Sequence, residues 1–236
     1  ERWASRLLRP IVTDRTVASV TPMSNDAEIF NVPRIGPPSP LPAGGVDDLD
    51  AVARRFAPDH AGAEAPTGVG FCMAMNIAYL ARQPRFDDAF GRGYGEEVDW
   101  CQKTRALGGR HVGLGGVFVE HRGAESFGLS EKAALIRNAS ALISKRYPRY
   151  DEEVQAFVRD DPLVTPRLAL GLAWAGQVTE GQVPVYLAHD MGGGAERYLK
   201  GLIDVDLAAG RPAVVLRVGG ATRWQLELHG PGGVTR

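Results

Sequence analysis

The residues with the clearest chemical potential are three carboxylates that follow a glycine-rich loop. In the stretch FDDAFGRGYGEEVDW, residues 86–100, alternate glycines lead directly into Glu96 and Glu97, and Asp99 follows two residues later. Glycine lets a backbone approach a ligand closely, and carboxylates beside such a loop can act as general bases or metal ligands. The alternative is structural, because acidic residues in a first helical turn also suit the positive end of the helix dipole.

Helical geometry separates these three carboxylates. The periodicity predicts a helix over residues 96–107 that ends at a Gly-Gly pair. On such a helix Glu96 and Asp99 share a face, whereas Glu97 points about 100° away. The helix dipole would lower the pKa of a base in this turn and burial would raise it, so the sequence leaves the direction of the shift open.

Composition narrows the classes of partner and compartment. The chain has 236 residues, of which 44% are hydrophobic and 23% charged, with a net charge of -1. These values are typical of a globular protein and provide no overall field that would attract nucleic acid. Cys72 and Cys101 lack metal-site spacing, which favours two free thiols in a reducing cytosol. No apolar run reaches the roughly 18 residues of a membrane span, so we expect a cytoplasmic protein, with peripheral association at the inner face of the membrane still open.

Apolar periodicity and turn residues predict a mixed α/β arrangement for the first part of the chain. Strands are expected where β-branched residues cluster, and helices where apolar residues recur every three to four positions. The predicted strands cover residues 16–21, 67–78 and 111–121, and the predicted helices cover residues 1–12, 49–56, 96–107, 130–146, 151–159 and 166–175. Residues 67–78 could also be the start of a helix, but their length and flanks favour a strand. A proline-rich, extended connection is expected over residues 31–45. In the third strand, Val117, Val119 and His121 should share one face.

The pattern changes after about Gly176. Two predicted strands flank a predicted helix and form one βαβ unit, over residues 183–188, 195–208 and 212–218. We therefore expect two domains, residues 1–176 and residues 183–236. Because the chain opens inside an amphipathic helical pattern and closes soon after a strand-like run, we expect both to be pieces of larger domains.

Five segments of the first part resemble, in the same order, the C-terminal half of bacterial family 2 glycosyltransferases, which build cell-surface polysaccharides. They are VASVTPMSN (17–25), PTGVGFCMAMN (66–76), FDDAFGRGYGEEVDWC (86–101), GGRHVGLGGVFVEHRGAESFG (108–128) and RYPRY (146–150). The resemblance implies part of a GT-A fold, an α/β domain that binds a nucleotide sugar, followed by a helical region. It also implies inverting transfer of a sugar from a nucleotide-sugar donor to a polysaccharide or lipid-linked acceptor.

The resemblance implies roles for individual residues. The family's carboxylate pair before a helix supplies the catalytic base, usually as Glu-Asp, and here the pair is Glu96-Glu97. The second position aligns with the base, so Glu97 is the first candidate, with Glu96 and Asp99 as the other catalytic candidates. His121, in the family's V-x-H-x-G pattern, is the candidate ligand of a divalent metal, Mg²⁺ or Mn²⁺, beside the donor diphosphate. Most ligands of that metal, including an Asp-x-Asp motif, are expected before residue 1, so the isolated chain should be weakly active or inactive.

Two further groups of residues are candidates for substrate binding. Donor binding is assigned to Arg122, Gly93 and Tyr94, and acceptor binding to Thr67, Gly68, Gly70 and Phe71. A guanidinium group matches phosphate oxygens, although Arg122 could equally be a solvated loop residue. The acceptor stretch could equally be a buried strand whose glycines serve packing. One departure from the family is that Asn76-Ile77 stands where members often carry an arginine.

The second part carries a shorter resemblance. The stretch VYLAHDMGGGAERYLKGL, residues 185–202, resembles the opening of a family 4 glycosyltransferase of the GT-B type, which implies a βαβ fragment of a second, Rossmann-like domain. Its glycine run suits phosphate or sugar contact at a helix N-terminus, or simply a turn. The alternative to a transferase is a non-catalytic sugar-binding or scaffolding module of a larger glycan synthase. An exposed sheet edge could also pair two copies in a homo-oligomer.

Overall fold

A computed structural model describes residues 2–56, 62–91, 94–122, 129–219 and 223–236, with residues 129–133 described by their backbone. Its first sheet consists of strands β1 (Val17–Met23), β2 (Gly62–Ala65), β3 (Ala74–Met75) and β4 (Arg110–Phe118). Their order in space is β2-β4-β1-β3, in which β1 and β4 run parallel and the two short outer strands run antiparallel to their neighbours. Every residue of β1 is buried, as expected for a central strand with a partner on each edge.

Helices accompany this sheet along the chain. They are α1 (Trp3–Thr13), α2 (Gly45–Ala53), α3 (Ile77–Arg82), α4 (Glu96–Arg105), α5 (Leu129–Arg146), α6 (Tyr150–Asp160) and α7 (Val164–Val178), with short 3-10 helices at Glu28–Phe30 and Asp88–Phe90. Helix α4 contacts both β1 and β4. The central parallel pair of strands therefore supports the helix that carries the candidate carboxylates.

The second sheet contains the predicted βαβ unit. Its elements are β5 (Val185–His189), α8 (Gly194–Ala208), β6 (Ala213–Gly219), β7 (Arg223–Gly230) and β8 (Gly233–Thr235). Strands β5 and β6 pair in parallel with α8 between them in sequence, which confirms the unit. Strands β7 and β8 continue the sheet as antiparallel neighbours. The overall class is therefore α/β with small mixed sheets.

Helix α7 lies against the second sheet. Its residues Leu170 and Trp174 belong to the same buried apolar cluster as Leu228 of β7. The contact is close, because a Cβ atom on Gly171 would lie 2.6 Å from Leu228 Cδ2. The predicted domain division falls between α7 and β5, and the buried apolar core continues across it.

The predicted strand over residues 67–78 is wrong for most of its length. Only Ala74–Met75 pairs with β1, and Ile77 begins helix α3. Before them the backbone donors bond to side chains instead of a strand: the Gly68 amide to Cys101 Sγ and the Val69 amide to Thr21 Oγ1. Residues 66–73 therefore form a loop, here called the glycine loop.

The predicted third strand ends earlier than expected. Strand β4 ends at Phe118, so His121 lies beyond the sheet instead of sharing a strand face with Val117. In place of a neighbouring strand, the side chain of Asn25 pairs with the backbone of His121: it accepts a hydrogen bond from the His121 amide and donates one to the His121 carbonyl oxygen. Within the part of the chain that the structure describes, no helix combines the length and the apolar character that crossing a membrane requires.

Candidate active site

The first turn of α4 begins at a glycine that the structure requires. Gly95 has a φ of 89°, in the left-handed region, and a Cβ atom there would lie 3.0 Å from the ring of Phe90. Its amide donates a hydrogen bond to Glu97 Oε2 at 3.1 Å, and its carbonyl oxygen accepts from the Asp99 amide at 2.9 Å. This glycine therefore sets both the start of the helix and the orientation of the Glu97 carboxylate.

Glu97 lines a cavity of about 270 Å³ between α4 and the later helices. The walls include the carboxyl groups of Glu28 and Asp151 and the rings of Tyr94 and Tyr150, and no basic side chain lines the cavity among the described residues. Burial raises the pKa of Glu97, and the neighbouring charges of Glu96 and Glu28 raise it further. The question that helix geometry left open is therefore answered by burial, which outweighs the stabilising bond from the Gly95 amide.

The glycine loop brings the acceptor-binding candidates to Glu97. A Cβ atom on Gly70 would lie 3.7 Å from Glu97 Cδ, so the bare backbone of this glycine faces the carboxylate. Gly68 lines the same cavity, and the hydrogen bond from its backbone amide to Cys101 Sγ connects the loop to α4. Thr67 is buried, and its hydroxyl donates to the Gly68 carbonyl oxygen at 2.9 Å. Gly68 and Gly70 thus lie at the cavity of the base candidate, and Thr67 is joined to Gly68.

The fourth acceptor candidate, Phe71, meets the metal candidate. Its ring stacks on the His121 imidazole with 5.2 Å between centroids and 29° between planes. His121 Nδ1 hydrogen-bonds to the Asp26 carbonyl oxygen, which leaves Nε2 as the nitrogen that could bind a metal. The glycine loop therefore contacts both of the segments that the sequence singled out separately.

A divalent metal would find few ligands here. The Asp26 carboxylate lies 3.9 Å from His121 Nδ1. The described residues contain no group of three or more histidine, cysteine, aspartate or glutamate side chains arranged to hold a metal ion. By themselves these residues do not form a metal site, and a donor-bound metal stays a prediction that depends on ligands outside this chain.

The other two carboxylates of the α4 turn have different surroundings. Asp99 is 1% exposed, and it accepts hydrogen bonds from Arg146 and Tyr147 and contacts Lys103 at 2.6 Å. These partners lower its pKa despite its burial. Glu96 has one oxygen, Oε2, that is buried without a hydrogen-bond partner among the described residues. The arrangement favours Glu97 as the base over Asp99, whose oxygens are occupied by cations and a hydroxyl.

The donor-binding candidates do not gather at the cavity. Arg122 is exposed over 83% of its side chain and pairs with Glu120 at 3.1 Å. Tyr94 does line the cavity, and its φ of 71° is unusual for a residue with a side chain. Gly93 lies outside the described residues. Of the three, only Tyr94 is seen beside Glu97.

Sequence reasoning missed several residues at the site. Tyr150 lines the cavity next to Thr67, and burial together with the nearby carboxylates of Glu28 and Glu97 raises its pKa. Arg146 and Tyr147 reach Asp99, as described above. All three tyrosine and arginine positions belong to the RYPRY segment, whose aromatic and basic residues at a helix junction were the available signal. Glu28 had no such signal, because it lies outside every motif segment that the sequence singled out.

A buried Ser-His pair supports α4 from below and has no access to a substrate. Ser19 and His111 are essentially unexposed, with Ser19 Oγ 2.8 Å from His111 Nδ1 and His111 Nε2 2.9 Å from the Cys101 carbonyl oxygen. Because a carbonyl oxygen only accepts, Nε2 carries the proton and Nδ1 accepts from Ser19. Burial lowers the pKa of His111 to about 4, so the ring stays neutral and joins α4 to the central strands.

Comparison with known proteins assigns no family to the chain, because neither a protein-family model nor a curated protein matches it. Glu97, its cavity and the glycine loop therefore carry the functional proposal that follows, together with the motif resemblance.

Proposed function

We propose that residues 1–176 are the acceptor-side half of an inverting, GT-A-type glycosyltransferase, with Glu97 as the catalytic base. The observation that carries this proposal is the setting of the Glu97 carboxylate. It lies in a cavity wall against the bare backbone of Gly70, and no basic side chain lines that cavity among the described residues. The five motif segments support the same activity by resemblance.

In the proposed reaction Glu97 removes one proton. A carboxylate oxygen takes the proton of the acceptor hydroxyl as the hydroxyl oxygen forms its bond to the anomeric carbon of the donor sugar. The bond from that carbon to the diphosphate oxygen breaks, and the nucleoside diphosphate leaves with the bonding electron pair. Attack opposite the leaving group inverts the anomeric configuration.

The raised pKa of Glu97 fits this role. A general base works best when its pKa lies near the operating pH, and an ordinary glutamate is too weak a base for that. Burial and the charges of Glu96 and Glu28 move the pKa of Glu97 in the required direction. Lys103, Tyr147 and Arg146 lower the pKa of Asp99, so Asp99 would be the poorer base.

The remaining parts of the proposal follow the resemblance alone. The donor would be a nucleotide sugar and the acceptor a polysaccharide or lipid-linked glycan of the cell surface. Most ligands of a divalent metal, and the nucleotide-binding strands, would come from residues before residue 1. Residues 183–236 would begin a second, GT-B-like domain of a tandem enzyme working at the cytoplasmic face of the membrane.

The test is Glu97→Gln in the complete polypeptide that contains this chain. Release of nucleoside diphosphate would be measured with a panel of nucleotide sugars and a bacterial membrane fraction as the source of acceptors. We expect kcat to fall by about 10²- to 10⁴-fold, the usual contribution of a general base, with donor affinity retained. The matched control is Glu152→Gln, which changes an exposed glutamate in the first turn of α6.

Two results would contradict the proposal. Unchanged turnover in Glu97→Gln would remove this residue as the base and would favour the non-catalytic, sugar-binding module. An equal loss of turnover in Glu152→Gln would show that the effect is not specific to the cavity.

A further inference from the structure

Asp99 is held by Lys103, one turn later on α4, and by Arg146 and Tyr147, which are distant in sequence. Its Oδ1 accepts hydrogen bonds from Arg146 and from the Tyr147 hydroxyl, each at 2.7 Å, and its Oδ2 lies 2.6 Å from Lys103 Nζ. Arg146 and Lys103 also contact Asp87, at 2.9 Å and 3.1 Å. The cluster therefore joins the end of α5, the first half of α4 and the loop before α4.

The same cluster encloses the turn that carries Glu97. The Asp99 amide donates to the Gly95 carbonyl oxygen, and the Gly95 amide donates to Glu97 Oε2, so Gly95 and Asp99 bracket the base. Arg146 contacts Asp99 directly and Gly95 only through the ring of Phe90. One of its nitrogens bonds to Asp99, and its guanidinium carbon lies 5.3 Å from the centre of the Phe90 ring, which packs against Gly95.

We infer that Arg146 and Tyr147 are positioning residues for Glu97: they fix Asp99, and through it the Gly95–Asp99 turn, so that the base stays aligned in its cavity. The inference rests on the proposed function for its catalytic consequence. Tyr150, three residues after Tyr147, lines the same cavity as Glu97. The junction of α5 and α6 therefore contacts both the Asp99 cluster and the cavity of the base.

The chain offers a matched control in its second part. Asp206 of α8 accepts a hydrogen bond from the Tyr186 hydroxyl and pairs with Arg211 at 2.6 Å, as Asp99 does with Tyr147 and Arg146, although Asp99 also has Lys103. This cluster belongs to the second sheet and its helix, and neither Tyr186 nor Arg211 lines the Glu97 cavity. Removing the hydroxyl of Tyr186 therefore removes an equivalent bond far along the chain from Glu97.

The experiment compares Tyr147→Phe with Tyr186→Phe. Both substitutions keep the ring and delete one hydroxyl that donates to a buried aspartate. Amide hydrogen exchange at Gly95 and Asp99 would be measured by NMR on the 236-residue chain, and kcat and KM on the complete polypeptide. We expect Tyr147→Phe to speed exchange at these two amides by about tenfold, through easier local opening of the turn. We also expect kcat to fall by about tenfold with KM changed less than about twofold, because misplacement of a catalytic group chiefly affects the chemical step.

Arg146→Lys provides the conservative comparison. A lysine keeps the positive charge, but its compact ammonium replaces the planar guanidinium, whose Nη1 bonds to both Asp99 and Asp87 and whose carbon lies over the Phe90 ring. It should retain more kcat than Arg146→Ala and exchange more slowly at Asp99. Tyr186→Phe should leave both amides and kcat unchanged.

The outcomes separate the two proposals. Unchanged exchange at Gly95 and Asp99 in Tyr147→Phe would overturn the positioning role, whatever the activity. Faster exchange with an unchanged kcat, in an enzyme that Glu97→Gln inactivates, would overturn it as well. Retained turnover in Glu97→Gln would instead overturn the proposed function, and the catalytic part of this inference with it.

Discussion

The two regions of the molecule, residues 2–178 and 185–236, each hold an aspartate between a tyrosine and an arginine, and they use the cluster differently. Asp99 lies two residues from a carboxylate whose pKa is raised, beside a cavity. Asp206 pairs with Tyr186 and Arg211, and the pKa of the buried Glu227 in the same region is lowered by Arg217 and His229. An aspartate that is paired with cations therefore has a structural role in both regions. The carboxylate whose pKa is raised, Glu97, marks the candidate site.

The sheets of the two regions differ as well. In the first, β1 is buried along its whole length. In the second, α7 buries Leu228, while Val185, Leu187 and Trp224 stay 69%, 73% and 60% exposed. Helix α8 also packs on this sheet, where Leu199 and Ile203 contact Ala213 and Val215. The second sheet is therefore packed where α7 and α8 lie on it and open to solvent at these three exposed side chains.

The largest expected effect separates the two aspartates. Asp99→Ala removes a buried carboxylate that accepts hydrogen bonds from Arg146 and Tyr147 and pairs with Lys103, and it leaves the two cations only Asp87 among the described residues. Because three bonds to one charged, buried group are lost, we expect a loss of about 3 to 4 kcal/mol in the free energy of unfolding. Asp206→Ala should cost about 1 kcal/mol, because Arg211 is 46% exposed and solvent can replace the lost partner. Urea unfolding of both variants measures the difference. Equal losses would show that the two clusters contribute alike.

The next effect compares two positions of the second sheet. Leu228→Ala should lower the free energy of unfolding by about 3 kcal/mol, because it leaves a cavity against α7. Leu187→Ala should change it by less than about 0.5 kcal/mol, since most of that side chain already contacts water. Denaturant unfolding of the two variants checks this. A large loss in Leu187→Ala would mean that something covers the exposed part of the sheet in solution.

Acid should weaken the first region through His111. Its pKa is about 4 in the folded protein and near 6.5 when unfolded. The unfolded chain binds a proton between these values and the folded chain does not, so stability falls as the pH drops from about 6.5 to about 4. The loss from this residue should reach about 2 to 3 kcal/mol. NMR titration of the imidazole tests this directly, and protonation near pH 6.5 in the folded protein would contradict it.

The smallest expected effect has the opposite sign. Because the pKa of Glu97 is raised in the folded state, its ionised form destabilises the protein once the pH exceeds the unfolded value of about 4.5. Glu97→Gln should therefore gain about 1 kcal/mol at pH 7 while losing activity, and the gain should vanish below about pH 4. Thermal unfolding at both pH values measures this. A gain that persists at low pH would point to a cause other than ionisation.

Local patterns predicted much of the secondary structure. The helix after Gly95, the βαβ unit around α8 and the buried strand β1 follow from glycine positions, apolar periodicity and β-branched residues. The sequence predicts a strand for the glycine loop because an apolar run of that length and with those flanks is typical of one. The loop conformation depends instead on Cys101 and Thr21, whose side chains accept hydrogen bonds from two of its backbone amides.

The sequence by itself determined that three carboxylates stand in the first turn of one helix, behind glycines, with Glu97 on a different face from Glu96 and Asp99. Only the tertiary structure decided their separate roles. The partners that neutralise Asp99 include Arg146 and Tyr147, 47 and 48 residues away, and the backbone that faces Glu97 comes from Gly70. The charge and burial of a carboxylate depend on what the fold brings within a few ångströms of it, and local sequence does not encode that distance.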